Sequence, residues 1–233
     1  MLEPVEVAVV DVVDVGSYAI VELEASDGLE IGGPGRFAMV RDPDGGPFLP
    51  RPVGLFRRDG GRVGMLVDRT HGVGGVASAR RLRVLAPLGT GFDLTGAEAA
   101  TTLLVAGGIG ITVFPGVPAL LGARPRLVAG FRTADQAAAT AIVDAAVEVA
   151  VAPRLVTELL DLDGIELVLA CGPAPMVRAV AGIALAAGVR CQVGLEAPMA
   201  CGFGACYGCA VELDGALVRL CLEGPVVDAR RLG

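Results

Sequence analysis

The sequence from residue 201 to residue 209 reads Cys201-Gly-Phe-Gly-Ala-Cys206-Tyr-Gly-Cys209, and a fourth cysteine, Cys221, follows after a short segment. A C-x4-C-x2-C loop with a distant fourth cysteine is the ligand spacing of plant-type [2Fe–2S] clusters. Two bridged iron ions need four soft, anionic sulfur donors, two for each iron. The glycines between the cysteines let the loop wrap closely and turn backbone N–H groups towards the sulfurs. We therefore predict that these four cysteines bind a [2Fe–2S] cluster.

Two other interpretations of the four cysteines stay open. Structural zinc sites usually carry two short C-x2–4-C pairs, and only one pair here has that spacing. Disulfides require an oxidising compartment, and no basic segment followed by an apolar segment marks the chain for secretion after Met1. We expect a cytoplasmic protein whose thiols stay reduced and available for a metal.

The composition excludes several classes of function. All 19 basic residues are arginine, so Schiff-base chemistry on lysine and the lysine of a phosphate-binding P-loop are excluded. His71 is the only histidine and there are three serines, which disfavours a Ser-His-Asp hydrolase and a multi-histidine metal site. The net charge of −7 argues against a nucleic-acid partner, and no apolar run is long enough for a membrane span. The reactive chemistry must come from bound cofactors.

The order of the apolar patterns predicts three domains. Residues 1–96 hold six short strands separated by Gly/Pro turns, which is typical of a small antiparallel β-barrel. Residues 97–193 alternate apolar strands with helical segments, expected at 134–143, 155–160 and 174–187, and predict a parallel α/β domain. Residues 194–233 are rich in Gly and Cys, with a hairpin turning at Asp214-Gly215. The barrel strands are predicted at 5–10, 18–24, 36–40, 51–56, 62–67 and 81–85.

Two glycine-containing turns follow predicted parallel strands, at the edge of the sheet where ligands bind in such folds. The first contains Gly107, Gly108 and Gly110, and glycine there lets the phosphates of a dinucleotide approach the backbone. The alternative is a tight turn with no ligand, because the full G-x-G-x-x-G spacing is missing. The second turn is Cys171-Gly172-Pro173, whose thiol could face a nicotinamide ring or simply fill a strand end. We interpret Cys191 as a core residue.

The stretch Arg51-Pro52-Val53-Gly54 lies on a predicted barrel strand. An arginine there can hold a pyrophosphate through charge-assisted hydrogen bonds, although a solvated arginine at a strand end is the alternative. His71, beside Thr70, could reach a cofactor or lie in a surface turn.

Taken together, these segments resemble the ferredoxin–NADP reductase superfamily and, more narrowly, the electron-transfer subunits of two-subunit, NAD-linked dihydroorotate dehydrogenases. In that family the barrel binds FAD, the second domain binds NAD, and the cluster links FAD to the FMN of a partner catalytic subunit. The resemblance implies FAD contacts at Arg51, Pro52, Val53, Gly54 and Thr70, and NAD contacts at the two glycine-containing turns. The segments that carry it are 34–39, 49–52, 86–92, 104–111, 130–132, 171–176, 201–209 and 221–226.

The chain departs from the family pattern in four places. A serine usual in the flavin motif is Gly54, and a Gly-x-Gly-Thr motif keeps only Thr70. A proline usual after the glycine turn is Val113, and an acidic, Gly-rich loop is replaced by the shorter segment 150–153.

The resemblance implies an oxidoreductase subunit in pyrimidine biosynthesis, with two catalytic and two electron-transfer chains in a heterotetramer. Electrons from dihydroorotate would pass through the partner's FMN, the [2Fe–2S] cluster and FAD to NAD+. A flavin is needed because a one-electron cluster cannot form a hydride. Two alternatives remain: the same cofactors serving a sulfide dehydrogenase or hydrogenase partner, and a non-enzymatic, zinc-stabilised binding module.

Overall fold

The computed structural model describes residues 3–24, 29–45, 48–69 and 74–233. Within this part of the chain, no helix has both the length and the apolar character that crossing a membrane requires. The predicted fold class, a β-barrel followed by a parallel α/β domain and a small cysteine-rich segment, is confirmed. Thr70 and His71 lie outside the described residues.

The first domain is one antiparallel sheet that curves into a barrel. Its strand order is β4-β3-β7-β1-β2-β6-β5, and only Gly54 and Leu55 separate the two edge strands β4 and β5 in the chain. The sheet must therefore curve until its edges nearly meet. The strands are β1 (Val5–Val15), β2 (Tyr18–Leu23), β3 (Phe37–Arg41), β4 (Arg51–Val53), β5 (Phe56–Arg57), β6 (Val63–Asp68) and β7 (Arg81–Leu88).

The single strand predicted at 51–56 is wrong in one respect. The chain forms two strands there, because β4 pairs with β3 at one edge of the sheet and β5 pairs with β6 at the other. Gly54 lies at the break between them.

The barrel packs on the second domain through alternate residues of its inner strands. All six residues of β2 are buried, since successive side chains point to opposite faces of a strand. Ala19, Val21 and Leu23 enter the barrel core. Tyr18 and Ile20 join the core of the α/β domain around Phe114. Glu22, the one charged residue of the strand, is buried through ion pairs with Arg58 and Arg62.

The second domain is a six-stranded sheet in the order β10-β9-β8-β11-β12-β15. Its first five strands are parallel, and β15 pairs antiparallel with β12. The strands are β8 (Thr102–Gly107), β9 (Arg126–Phe131), β10 (Ala146–Val151), β11 (Leu167–Cys171), β12 (Arg190–Gly194) and β15 (Val226–Asp228).

The connections of this domain contain two α-helices, α1 (Val117–Leu121) and α2 (Ala174–Ala186). The helix predicted at 174–187 is thus confirmed. The helices predicted at 134–143 and 155–160 are short 3-10 turns instead, over Gln136–Ile142 and Val156–Leu159. Their backbone bonds span three residues, as from Ala137 N–H to the Ala134 carbonyl at 3.1 Å, a geometry that rarely extends beyond a few residues.

The last segment contains the predicted hairpin, β13 (Ala210–Leu213) and β14 (Ala216–Arg219), followed by α3 (Leu220–Glu223). Asp214 and Gly215 have φ angles of 52° and 72°, the left-handed pair that a two-residue hairpin turn requires. The hairpin packs on the α/β domain through Leu213 and Val218. Because β15 belongs to the second sheet, the last segment is part of that domain's fold, and the boundary at residue 194 stays a prediction.

Candidate functional site

The four predicted cluster ligands lie on the loop and helix that pack against the barrel. Cys209 and Cys221 are buried, Cys201 is half-buried and Cys206 is exposed, and all six cysteines of the chain are free thiols. Cys209 and Cys221 share a small apolar core with Phe37, Met39 and Leu88 of the barrel. A Cβ atom at Gly202, where φ is +80°, would lie 2.4 Å from Met39 Cγ. Glycine therefore lets the loop lie directly on the barrel.

The thiols meet in two pairs. Cys201 hydrogen-bonds with Cys206, and Cys221 with Cys209. Among the described residues, no three His, Cys, Asp or Glu side chains converge as a site for a single metal ion. A [2Fe–2S] cluster takes all its protein ligands from four thiolates, two for each iron, so the paired arrangement fits the predicted cluster.

Backbone N–H groups surround the sulfurs, as the alternation of glycine and cysteine predicts. Burial raises the pKa of the Cys201 thiol. The N–H groups of Cys206, Phe203 and Ala205, together with the Cys206 thiol, lower that pKa by more, so that it falls to about 7. Gly208 N–H lies 3.4 Å from the Cys206 sulfur. These donors favour sulfur that carries negative charge, which is the form that binds iron.

The second thiol pair is deeper. Burial, together with the thiol and charge of Cys209, raises the pKa of Cys221 to about 11, although the Gly204 N–H acts in the opposite direction. Cys221 N–H lies 3.5 Å from the Cys209 sulfur. Without a metal the Cys221 thiol stays protonated at neutral pH, and binding of a cation there would displace its proton.

A cavity of about 590 Å³ lies between the barrel, the α/β domain and the segment that leads into the cysteine loop. Its volume is in the range of small-molecule sites, and its wall is largely apolar, as a flavin ring requires. Of the predicted site residues, five line it: Pro52, Val53, Gly54, Gly110 and Cys171. The wall continues through Gly194, Leu195, Glu196, Ala197, Pro198 and Met199.

Arg51 stands beside this cavity, next to Pro52. Its Nε atom is buried and has no hydrogen-bond partner within the described residues. A buried donor without an acceptor costs about 1–3 kcal/mol, so the site favours an anionic acceptor. The pyrophosphate of FAD has the chemistry that satisfies this donor, and the residues present therefore fit the predicted cofactor.

Thr112 occupies the space beside Gly54, and no pattern in the sequence singles it out. It is buried, lines the first cavity and places its hydroxyl 3.5 Å from the Gly54 carbonyl oxygen. A Cβ atom on Gly54 would lie 2.7 Å from Thr112 Cγ2. Glycine at position 54 therefore leaves room for Thr112, and the two residues form one contact between the barrel and the α/β domain.

A second cavity, of about 530 Å³, lies at the carboxyl ends of the parallel strands. Gly107, Gly108 and Pro173 line it, as the sequence predicts for a dinucleotide site. Sequence reasoning did not select its two basic residues, Arg132 and Arg154, as site residues. They follow β9 and β10, and their position at that edge could have been inferred from the strand pattern alone.

The glycines of the first turn have different roles. A Cβ atom at Gly107 would lie 2.5 Å from Met176 Sδ, and one at Gly110 would lie 2.4 Å from the Cys171 carbonyl oxygen. Both glycines let the turn pack against the end of β11. Gly108, with φ at +53°, has only the Tyr18 hydroxyl nearby and stays open to the cavity. The turn is therefore tight at Gly107 and Gly110 and open to the cavity at Gly108, and a ligand site there stays a prediction.

The two cavities share three wall residues, Asp68, Ile109 and Glu196. Glu196 reaches solvent, but its carboxyl group loses hydration in the wall, and this burial raises its pKa. Burial and then the charge of Glu196 raise the pKa of Cys171 to about 12, so this thiol is neutral at physiological pH. A neutral thiol can pack against an aromatic ring without adding charge.

Gly172 lines neither cavity, because a Cβ atom there would lie 2.8 Å from Gly107 Cα in the contact between the two turns. Cys191 is buried in the core of the second domain, as predicted.

The architecture defines a class, proteins with the ferredoxin–NADP reductase fold. The structure of an NADH-dependent reduced ferredoxin–NADP oxidoreductase matches with a TM-score of 0.79 and 21% identity, over 97% of this chain and 88% of that chain. The ferredoxin–NADP+ reductase of Plasmodium falciparum matches with a TM-score of 0.58 and 13% identity, over 77% of this chain and 89% of that chain.

Sequence comparisons narrow the class. Residues 196–233 match the family model for the iron–sulfur cluster binding domain of dihydroorotate dehydrogenase B. The electron transfer subunit of dihydroorotate dehydrogenase B (NAD(+)) from Caldanaerobacter subterraneus subsp. tengcongensis is 30% identical over 216 residues, 85% of this chain and 86% of the relative. The same subunit from Bacillus cereus is 32% identical over 225 residues, 83% of this chain and 84% of the relative.

The chain belongs to the family of dihydroorotate dehydrogenase B electron transfer subunits. This result confirms the predicted family and the predicted class, an oxidoreductase subunit that transfers electrons. The predicted cofactors, FAD, a [2Fe–2S] cluster and NAD, agree with the fold and with the cluster-binding domain, and this match favours iron–sulfur over zinc.

Proposed function

We propose that this chain takes electrons from the FMN of a dihydroorotate dehydrogenase catalytic subunit and delivers them to NAD+, in a cytoplasmic heterotetramer of two chains of each kind that serves pyrimidine biosynthesis. When bound, the cluster supplies single-electron transfer, and the flavin interconverts single electrons and the hydride that a nicotinamide accepts. The chain's own residues bind and orient these groups.

The observation that carries the proposal is the position of one short segment, 194–199. It leaves the end of β12, forms part of the wall of the first cavity, and ends two residues before Cys201. Glu196, within it, also lines the second cavity. A cluster, a flavin and a dinucleotide held at these three places would be neighbours in that order, as a relay of electrons requires.

The proposed ligands follow from this order. Cys201, Cys206, Cys209 and Cys221 hold the cluster, and their N–H contacts favour its negative charge. Arg51 holds the FAD pyrophosphate through its buried Nε, and Pro52, Val53 and Gly54 flank the flavin ring. The family resemblance also assigns Thr70, which lies outside the described residues, to the FAD contacts.

The nicotinamide nucleotide would lie in the second cavity. Gly107 and Gly108 line that cavity, whereas Gly110 of the same turn and the neutral thiol of Cys171 line the first cavity, where the charge of Glu196 in the shared wall acts on the thiol. Gly172 and Pro173 shape the end of β11 against that turn. No side chain must act as an acid or a base, which agrees with a sequence without lysine and with one histidine.

The test is reconstitution with the catalytic subunit. The chain is purified under anaerobic conditions, its iron, sulfide and flavin contents are measured, and the partner is added with dihydroorotate and NAD+. We expect one NADH and one proton for each dihydroorotate converted to orotate. A loaded chain that oxidises NADH with ferricyanide but shows no dihydroorotate-dependent activity would redirect the proposal to another partner, such as a sulfide dehydrogenase or hydrogenase subunit.

A further inference from the structure

The outer end of the second cavity carries two arginines at adjacent strand ends. Arg132 directly follows β9, and Arg154 lies just beyond the end of β10. These strands are parallel neighbours, with Phe131 paired to Val151. Both arginines line the cavity and both are exposed. Burial and the charge of Asp68 raise the pKa of Tyr18 in the cavity wall, and the nearby charge of Arg132 opposes them.

Carboxylates do not neutralise these arginines. Within the described part of the chain, neither Arg132 nor Arg154 forms an ion pair. Asp135, the acidic residue nearest to Arg132 in the sequence, accepts a hydrogen bond from the Ser17 hydroxyl. Glu158, the acidic residue nearest to Arg154 in the sequence, accepts a hydrogen bond from the Leu155 N–H at 2.7 Å.

The cavity's own acidic residues, Asp68 and Glu196, lie in the wall that it shares with the first cavity, whereas Arg132 and Arg154 line the second cavity alone. The outer end is therefore positive, on a chain whose net charge is −7.

In dinucleotide-binding folds, the residue at the position of Arg132 helps to distinguish NAD from NADP. The residue that contacts the adenosine ribose lies about 20 residues after the glycine turn, at the end of the adjacent strand. Asp or Glu there accepts hydrogen bonds from the ribose 2′-hydroxyl of NAD, whereas an arginine accommodates the 2′-phosphate of NADP. Here that strand is β9, which pairs with β8, and its end carries Arg132 and no carboxylate.

We propose that Arg132 and Arg154 form a binding site for the 2′-phosphate, so that this chain exchanges hydride with NADP(H) as well as with NAD(H). The proposal rests on the proposed function only in assigning the second cavity to a dinucleotide. Two guanidinium groups on neighbouring strands can bind a phosphate from two sides, and guanidinium matches phosphate geometry better than any other cation in proteins.

The first test measures binding without turnover. Titration calorimetry on the purified, flavin-loaded full chain compares 2′,5′-ADP with 5′-AMP, which differ only in the 2′-phosphate. We expect 2′,5′-ADP to bind about tenfold or more tightly, the effect of a charge-assisted contact. Arg154→Gln and Arg132→Gln should each remove most of that difference and leave 5′-AMP binding nearly unchanged. Equal affinity for the two nucleotides in the unchanged protein would overturn the proposal.

The second test uses ferricyanide as electron acceptor, since each NADPH or NADH oxidised reduces two ferricyanide ions and releases one proton. We expect Arg154→Gln to lower kcat/KM for NADPH about tenfold or more and to change that for NADH less than about twofold. Arg190→Gln is the matched control, because Arg190 begins β12, three strands from β9 in the same sheet and at the opposite ends of the parallel strands.

The results separate the two proposals. Activity with NADH but none with NADPH would refute the 2′-phosphate site and leave the proposed function intact. A flavin-loaded chain inactive with both nucleotides would contradict the proposed function itself. Equal losses with both nucleotides in the arginine variants would mean that the arginines support the fold or the whole ligand, and this outcome too would overturn the proposal.

Discussion

We expect Gly54→Ala to destabilise the chain and to weaken flavin retention, because Thr112 fills the space beside residue 54. A Cβ atom built at 54 lies 2.7 Å from Thr112 Cγ2 and 3.2 Å from Thr112 Oγ1. Carbon atoms pack at about 3.5–4.0 Å, so roughly 1 Å of separation is missing. Thr112 is buried and β-branched, which leaves it one well-packed rotamer and little freedom to move.

The magnitude follows from this contact. Overpacking in a closed site costs about 1–3 kcal/mol in the free energy of unfolding. Thr112→Ser removes the clashing methyl group and keeps the hydroxyl, at a cost of about 1 kcal/mol for the lost methyl. When Thr112→Ser is already present, Gly54→Ala should cost less than about 1 kcal/mol, giving a coupling energy of about 1–2 kcal/mol between the two positions.

The assay is urea unfolding followed by circular dichroism for the four proteins of the cycle, with flavin content measured after gel filtration. Gly33→Ala is the matched control, because a Cβ atom there has no heavy atom within 4 Å. We expect its unfolding free energy to stay within about 0.5 kcal/mol of the unchanged chain. Additive effects of Gly54→Ala and Thr112→Ser would refute the reasoning, since the two residues would then not compete for one space.

Three further substitutions test the cofactor sites and the partner. Cys206→Ser should abolish or cripple cluster binding and leave circular dichroism of the folded domains unchanged, because an oxygen replaces a soft thiolate; unchanged iron content would contradict the ligand assignment. Arg51→Ala should weaken FAD retention by about 1.5–3 kcal/mol through loss of a charge-assisted phosphate contact, measured as flavin content at low protein concentration, and full retention would count against it. Tyr207 is 61% exposed and lies beside two of the cluster ligands, where an aromatic ring can contact a partner. Its φ angle is 58°, which Asp tolerates. Tyr207→Asp should therefore keep iron and FAD but lower dihydroorotate-dependent NAD+ reduction. Ferricyanide-linked NADH oxidation should survive in that variant; equal loss of both activities would mean that the ring supports the cluster or the fold.

Local patterns in the sequence predicted most of the fold. The Asp214-Gly215 pair placed the hairpin turn, and the strands predicted at 5–10, 18–24, 36–40, 62–67 and 81–85 begin within one residue of β1, β2, β3, β6 and β7. The predicted helices at 134–143 and 155–160 were the failures, because helix propensity cannot tell a short 3-10 helix from an α-helix.

The site was predictable only where one segment carries it. The cysteine spacing lies within 21 residues, from 201 to 221, and could be recognised directly. The role of Thr112 could not be recognised in this way, because it depends on a contact with Gly54, which lies 58 positions earlier in the chain. Glu196 and Asp68 join the two cavities only because the barrel docks on the α/β domain through Tyr18 and Ile20. Contacts between domains leave no periodic signal in either domain's sequence.

The segment 194–199 connects the walls of the two cavities to the cysteine loop. At its start, a Cβ atom on Gly194 would lie 3.1 Å from the Cys171 sulfur, so the end of β12 is fitted against the end of β11. At its end, Met199 packs with Cys209 and Cys221 beneath the cluster loop. A shift of this segment would therefore move the cluster loop and the wall of both cavities together. Because rates of electron transfer depend on the separation of the cofactors, a short, packed connection of this kind would keep the three proposed groups in a fixed order.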